Sequence, residues 1–170
     1  MIVNVTADGR RYNIRVIRPD DRDHLVRGLE QMSPATRYQR FHGERTDFTS
    51  GELDFLVACD GVDHIAYVSH GVDYRGQETE GAGVARFYRD PEQPDWGEVA
   101  IVVVDGWQNV GLGSVLLGIL ADHCRKTCVK GWKASIVGDN DRAIHVFSKI
   151  GTVTQREWVD RSIVLHILLA

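Results

Sequence analysis

The sequence has few of the features that mark a secreted or membrane-spanning protein. Its three cysteines are odd in number and lack the regular spacing of a disulfide framework. The longest apolar run, residues 99–104, is far shorter than the ~18–20 residues that a spanning helix needs. Residues 1–8 contain no basic stretch followed by an apolar one, as a secretory signal peptide does. We therefore expect a cytoplasmic protein without a membrane partner.

An excess of basic charge is also missing. Lys and Arg total 20 and Asp and Glu total 24, which gives a net charge of −4. This balance argues against a general nucleic-acid-binding protein, and a mildly acidic surface suits a cationic partner such as an amine. The 170 residues, 43% of them hydrophobic, correspond to about one domain with one core. We expect residues 1–170 to form a single domain.

The cysteine positions also give no sign of a metal centre. Cys124 and Cys128 lie four residues apart on a predicted helix, and no second pair of ligands follows them. We expect both to be buried as small apolar side chains.

The hydrophobic pattern predicts a mixed α/β fold. Helix starts are indicated at Asp20 or Asp21, at Ser33 with Pro34, and at Thr49. A continuous apolar run predicts a central strand buried on both faces. Further helices are expected from residue 112 to about 126 and from 139 to 149, the latter ending with Gly151 at position C′. The predicted strands are residues 12–17, 64–69, 82–88, 98–104 and 133–137, with two more between 153 and 169.

The most informative segment joins the central strand to the following helix. Gly111 and Gly113 allow the backbone to approach a ligand without a side-chain clash. The helix start adds a partial positive charge and free N–H groups. The segment therefore predicts a phosphate or pyrophosphate site.

Three phosphate-binding motifs can be compared with this segment. A P-loop needs a Lys after its last glycine, and Ser114 follows Gly113. A dinucleotide fingerprint needs a third glycine where Leu116 stands, and an acidic residue that residues 133–137 lack. The third motif, Gln/Arg-x-x-Gly-x-Gly/Ala, is matched by Gln108, Gly111 and Gly113. It is the acyl-CoA pyrophosphate loop of the GNAT superfamily of N-acyltransferases, which this sequence resembles.

A second GNAT motif, in the next predicted helix, strengthens the resemblance: Asn140, Ala143, Phe147 and Gly151 match it in order. The resemblance implies an α/β (α+β) fold with a mixed, mostly antiparallel sheet of about seven strands, a central βαβ crossover and flanking helices. It also implies acetyl-CoA as the acyl donor. Asn140 either caps its helix or reaches this cofactor. The implied cofactor-binding residues are Val102, Val103, Val104, Gln108, Asn109, Val110, Gly111, Leu112, Gly113, Ser114, Asn140 and Phe147.

The acceptor is indicated by a finer resemblance. Residues 32–41, Met-Ser-Pro-Ala-Thr-Arg-Tyr-Gln-Arg-Phe, are similar to a stretch of bacterial protein-lysine acetyltransferase domains. The implied acceptor is a primary amine, either on a small molecule or on a protein lysine. The same resemblance makes Glu98, at the start of the central strand, the general base. The alternatives are a helix that only packs and a glutamate that is only solvated.

The remaining catalytic groups follow from the same resemblance. A backbone N–H near Val102 is the expected oxyanion donor. Many relatives place a proton-donating Tyr where Phe147 stands. The thiolate therefore either leaves without an acid or receives a proton from another residue. Tyr88 and His145 are the candidates for that residue. The absence of that Tyr leaves a second hypothesis open, a CoA-binding sensor or interaction module without turnover. We expect a monomer, or a homodimer paired through the apolar last strand.

Overall fold

The computed structural model describes residues 3–138 and 140–169 and confirms the mixed α/β fold. Asp139, the first residue of the last predicted helix, lies outside the described residues. The strands are β1 (Val3–Val5), β2 (Arg11–Val16), β3 (His64–Val72), β4 (Glu78–Arg89), β5 (Trp96–Val103), β6 (Gly131–Val137), β7 (Thr152–Val159) and β8 (Ser162–Leu168). The helices are α1 (Arg22–Glu30), α2 (Pro34–Phe41), α3 (Ser50–Val57), α4 (Leu112–Lys126) and α5 (Asp141–Ser148), with 3-10 turns at Pro19–Asp21 and Asp105–Trp107.

The strands form one sheet in the order β1-β2-β3-β4-β5-β6-β8-β7. Every neighbouring pair is antiparallel except β5 and β6, which are joined through α4. This arrangement is the predicted βαβ crossover in a mostly antiparallel sheet. The eighth strand is β1, whose three residues are too few to show an alternating pattern in the sequence.

The position of β8 corrects one prediction. β8 pairs with β6 on one side and with β7 on the other, so both of its edges are already used. The sequence suggested that the last strand pairs across a dimer. Because both edges of β8 already have partners, it cannot do so. The exposed edge on this side of the sheet belongs to β7.

Short polar contacts fix the helix starts. The Ser33 hydroxyl accepts a hydrogen bond from the Thr36 N–H at 3.2 Å, and Pro34 occupies the first helical position. Thr49 and Glu52 form a reciprocal capping box at α3. These starts were predicted correctly from the sequence.

Two other local predictions were wrong. Helix α5 ends at Ser148 with Lys149 as its C-cap, so Gly151 is not at C′; a Cβ there would collide with the Leu168 carbonyl. Cys124 is buried as expected, but Cys128 lies beyond the end of α4 and is exposed, with a φ of 63°.

The helices cover both faces of the sheet. Side chains alternate along β3, β4 and β5, so Ile65, Phe87 and Val99 pack in the main core with α4. Ala66 and Val68 point to the opposite face, where Leu25 of α1 and Val57 of α3 pack against them. Within residues 3–138 and 140–169, no helix has both the length and the apolar character needed to cross a membrane.

The parallel contact between β5 and β6 is short and tight. Only three residue pairs form it, at Trp96 to Glu98 of β5 and Gly131 to Lys133 of β6. Each tryptophan faces a glycine of the other strand: Trp96 pairs with Gly131, and Trp132 pairs with Gly97. An ideal Cβ at Gly131 would lie 2.6 Å from the Trp96 ring, so the indole occupies the space that a side chain would need.

We expect Gly131→Ala to destabilise the protein by about 1–3 kcal/mol, because the new methyl group overpacks this contact. The matched control is Gly118→Ala in α4, where a Cβ meets open space. That change should stabilise the helix by about 0.4–1 kcal/mol. Urea unfolding of both variants measures the difference, and equal midpoints for the two would show that the Trp96–Gly131 contact is not tight.

Candidate functional site

A cleft opens where β5 and β6 separate. Beyond Glu98, β5 stays paired with β4 as far as Val103, while β6 stays paired with β8 as far as Val137. The space between them, the β5–β6 cleft, has a volume of about 740 Å³. Small-molecule sites commonly measure about 300–1,000 Å³. The cleft also explains why residues 101–103 are only half-buried, although the apolar run predicted burial on both faces.

The hydrogen-bond pattern of β5 decides which backbone groups face this cleft. The Val104 N–H donates to the Ala82 carbonyl at 2.9 Å, and Val102 pairs with Val84 in the same register. Because strand groups alternate in direction, the N–H groups of Val102 and Val104 point to β4. Those of Ile101 and Val103 point into the cleft.

The loop after β5 is held in place by the side chain of Gln108. Its Nε2 donates to the Val103 carbonyl at 3.0 Å and to the Thr36 hydroxyl at 3.2 Å, and its Oε1 accepts from Arg142 at 3.1 Å. The motif glutamine therefore connects the end of β5 with α2 and α5. Its described contacts are with protein groups, which makes it a positioning residue for the loop.

The start of α4 faces the same cleft without a side-chain cap. Gly111 is the N-cap residue and has a φ of 87°, in the left-handed region that favours glycine. An ideal Cβ at Gly113 would lie 3.7 Å from Ile101 and from Val103, so this position faces the cleft wall. A helix start that offers free N–H groups beside an open cleft fits a phosphate-bearing ligand.

Helix α5 provides the opposite wall. The Asn140 side chain accepts a hydrogen bond from the Ala143 N–H at 3.1 Å, so it caps α5 while lining the cleft. Phe147 is 3% exposed and belongs to the core beneath the cleft. Both residues thus shape the wall, and neither offers a titratable group.

Ten of the twelve residues predicted to bind the cofactor line the cleft. The exceptions are Val104, whose side chain points to the other face of the sheet, and Val110, which packs against the core. The ten are Val102, Val103, Gln108, Asn109, Gly111, Leu112, Gly113, Ser114, Asn140 and Phe147.

Glu98 lies at the closed end of the cleft, where β5 and β6 are still paired. Its side chain is exposed on the face shared with Ala100 and Val102, and Tyr88 is its cross-strand neighbour. The carboxylate has no hydrogen bond or ion pair with any residue in the described ranges. It is therefore available to a group arriving from solvent. His145 is exposed on α5 and lines neither this cleft nor the α1–α3 cavity described below.

A second space, the α1–α3 cavity, lies on the face of the sheet to which Glu98 points. Its volume is about 220 Å³, and its walls are mainly apolar. Arg40 and Val102 line both this cavity and the β5–β6 cleft, so the two spaces adjoin. Burial lowers the pKa of Arg40 to about 10, helped by the neighbouring Arg86, and the guanidinium stays charged at neutral pH. Arg40 lies in the stretch of residues 32–41, where nothing local in the sequence distinguishes it from a solvated arginine.

Comparisons with known proteins agree with this site. Residues 31–152 match the family described as the acetyltransferase (GNAT) family. An acetyltransferase of Pseudomonas aeruginosa is 29% identical over 161 residues, which cover 95% of this chain and 85% of that protein. The acetyltransferase Pat of Mycolicibacterium smegmatis is 30% identical over 154 residues, covering 88% of this chain but 43% of that relative. This chain therefore spans less than half of the Pat protein.

The fold comparison gives the same family. The GNAT domain of S. lividans PAT superimposes with a TM-score of 0.85 at 26% identity, covering 99% of this chain and 96% of that domain. The family match alone spans more than half of the chain. The chain therefore belongs to the GNAT family and is an N-acetyltransferase that uses acetyl-CoA.

Proposed function

We propose that this enzyme acetylates a primary amine, with a protein lysine side chain as the acceptor class, and that Glu98 is its general base. The observation that carries the proposal is the position of Glu98. Its carboxylate is exposed at the end of the strand whose next residues line the β5–β6 cleft. The lysine acceptor is supported by the resemblance of residues 32–41 to bacterial protein-lysine acetyltransferase domains.

The cleft has the groups that acetyl-CoA requires. The N–H groups of residues 111–114 would hold the pyrophosphate, because α4 begins there without a side-chain cap. The cleft-facing edge of β5 would hold the extended pantetheine arm through the Val103 N–H and the Ile101 carbonyl, which leaves the Ile101 N–H for the thioester. When bound, acetyl-CoA supplies a thioester carbonyl for attack by the amine.

Glu98 would remove the proton that keeps the acceptor amine charged and unreactive. A lysine amine has a pKa of about 10.4, so fewer than about one in a thousand is neutral at pH 7. The Glu98 carboxylate accepts the proton directly or through a water molecule. Ala100 follows it on the same face, and its small side chain leaves room for the acyl group.

The backbone of β5 stabilises the charge that develops on the carbonyl oxygen. The donor expected near Val102 is assigned to the N–H of Ile101, since the N–H of Val102 points to β4. One such donor contributes roughly 10²–10³ in rate. Phe147 has no proton for the thiolate, so the thiolate leaves unassisted or Tyr88, the cross-strand neighbour of Glu98, supplies the proton. The family match supports this catalytic function over a CoA-binding module without turnover.

We also propose a cytoplasmic enzyme with one acyltransferase domain over residues 1–170, acting as a monomer or homodimer without a nucleic-acid partner. The net charge of −4 and the odd number of cysteines support this setting.

Glu98→Gln should lower kcat by about 10²-fold or more, because general bases contribute roughly 10²–10⁴. The CoA dissociation constant should stay within about twofold of the wild-type value. A thiol-release assay with lysine peptides and small amines measures turnover. Glu92→Gln, at another exposed glutamate in the turn before β5, is the control and should keep wild-type activity. Full activity in Glu98→Gln would remove Glu98 as the base.

Gly113→Val should raise the CoA dissociation constant at least tenfold while the protein stays folded. The new Cβ has ordinary contact distances of 3.7 Å to Ile101 and Val103, but its methyl groups occupy the cleft. Gly118→Val, on the same helix with open space around its Cβ, is the control. Calorimetry with CoA compares the two.

Gly111→Val tests the loop in a second way. It should weaken CoA binding and stability together, because its φ of 87° strains any β-branched residue. Unchanged CoA affinity in both Gly111→Val and Gly113→Val would refute the assignment of the pyrophosphate loop.

A further inference from the structure

Three potential metal ligands meet at one end of the α1–α3 cavity. Asp21 ends the 3-10 turn, His24 lies in the first turn of α1, and His70 is on β3. Asp21 and His70 are each 1% exposed, and all three line the cavity. None of them lines the β5–β6 cleft. This His–His–Asp cluster is therefore separate from the site assigned to acetyl-CoA.

The ligand atoms already have the spacing of a coordination site. His70 Nε2 lies 3.2 Å from His24 Nδ1, which lies 3.4 Å from Asp21 Oδ1. The third side of the triangle, from His70 Nε2 to Asp21 Oδ1, measures 3.8 Å. Tetrahedral Zn²⁺ with bonds of about 2.0–2.1 Å needs donor atoms about 3.3 Å apart. The three side chains could bind such an ion with shifts of a few tenths of an ångström.

The surroundings of His70 favour the tautomer that a metal needs. Its Nδ1 is buried without a hydrogen-bond partner among the described residues and lies 3.7 Å from a carboxylate oxygen of Glu78. The negative charge places the ring proton on Nδ1 and leaves the Nε2 lone pair directed into the cluster.

The charge around the cluster also suits a bound cation. Arg15 holds the Asp21 carboxylate through two hydrogen bonds of 2.7 Å and pairs with Glu78 at 2.7 Å. The carboxylates of Asp21 and Glu78 and the Arg15 guanidinium together carry a net charge of −1. The guanidinium therefore fixes the orientation of Asp21 without making the cluster positive.

We propose that His24, His70 and Asp21 form a binding site for a Zn²⁺ ion, with its fourth position open to the α1–α3 cavity. Two imidazole nitrogens and one carboxylate oxygen are a donor set that zinc binds readily. Bound zinc connects the start of α1 to β3, and so fixes the helix that covers the cavity beside Arg40.

Titration with Co²⁺ tests this site without depending on activity. The 170-residue chain without a histidine tag is treated with a chelator, dialysed, and titrated with Co²⁺ and then with Zn²⁺. We expect one Co²⁺ per chain with the visible absorption of a tetrahedral ion, its displacement by Zn²⁺, and a higher thermal midpoint with Zn²⁺.

Two variants separate the site from adventitious binding. His24→Gln should lower Co²⁺ affinity at least tenfold, and this side chain is 26% exposed, so its replacement leaves the core intact. His145→Gln removes an exposed histidine outside the cluster and should bind Co²⁺ like the wild type. The absence of stoichiometric binding in the wild type, or equal affinity in wild type and His24→Gln, would overturn the proposal.

Discussion

The three-pair parallel contact between β5 and β6 is the constraint on which the rest of the site depends. The Trp96 ring packs over Gly131, and the Gly97–Trp132 and Glu98–Lys133 pairs complete the contact at this end of the strands. Past that end, β4 and β8 satisfy the outer edges of the two strands, which leaves the inner edges apart. Backbone N–H and C=O groups need partners, so an inner edge with free groups is a template for an extended amide-bearing ligand.

Helix α2 and the loop after β5 are held to each other by hydrogen bonds. Asp105, two residues after the end of β5, accepts from the Ser33 N–H at 3.0 Å and from the Thr36 hydroxyl at 3.1 Å. Gln108 also donates to Thr36. Residues 32–41 and the loop that contains Gln108, both of which resemble GNAT sequences, are therefore connected directly by hydrogen bonds. Because Arg40 lies one turn further along α2, the same contacts place its guanidinium between the cleft and the α1–α3 cavity.

The sequence predicted those parts of the site that local chemistry determines. Ser33 and Thr49 cap their helices as predicted, because their side chains reach nearby N–H groups, and Asn140 fulfils the capping alternative. The left-handed φ of Gly111 was not predicted, although glycine allows it. The half-burial of Ile101 was not predictable, because it depends on where β6 leaves β5. The interior position of β8 depends likewise on the strand order.

The His–His–Asp cluster is the clearest case of what local patterns miss. His24 and Asp21 are neighbours in sequence, but His70 joins them only because α1 packs over the middle of the sheet. The one local sign is a histidine in β3, eight of whose nine residues are buried. Such a histidine needs a polar partner inside the fold, and the sequence alone does not identify it.

Net charge and local charge act over different distances in this protein. A chain with a net charge of −4 would weakly repel the phosphates of acetyl-CoA at long range. Salt screens that repulsion within about 8–10 Å, whereas the N–H groups at the start of α4 act in direct contact with a ligand. On the other face, the exposed Glu98 carboxylate would attract a cationic amine. The mildly acidic surface therefore favours the acceptor, while the local geometry of the cleft suffices for the anionic donor.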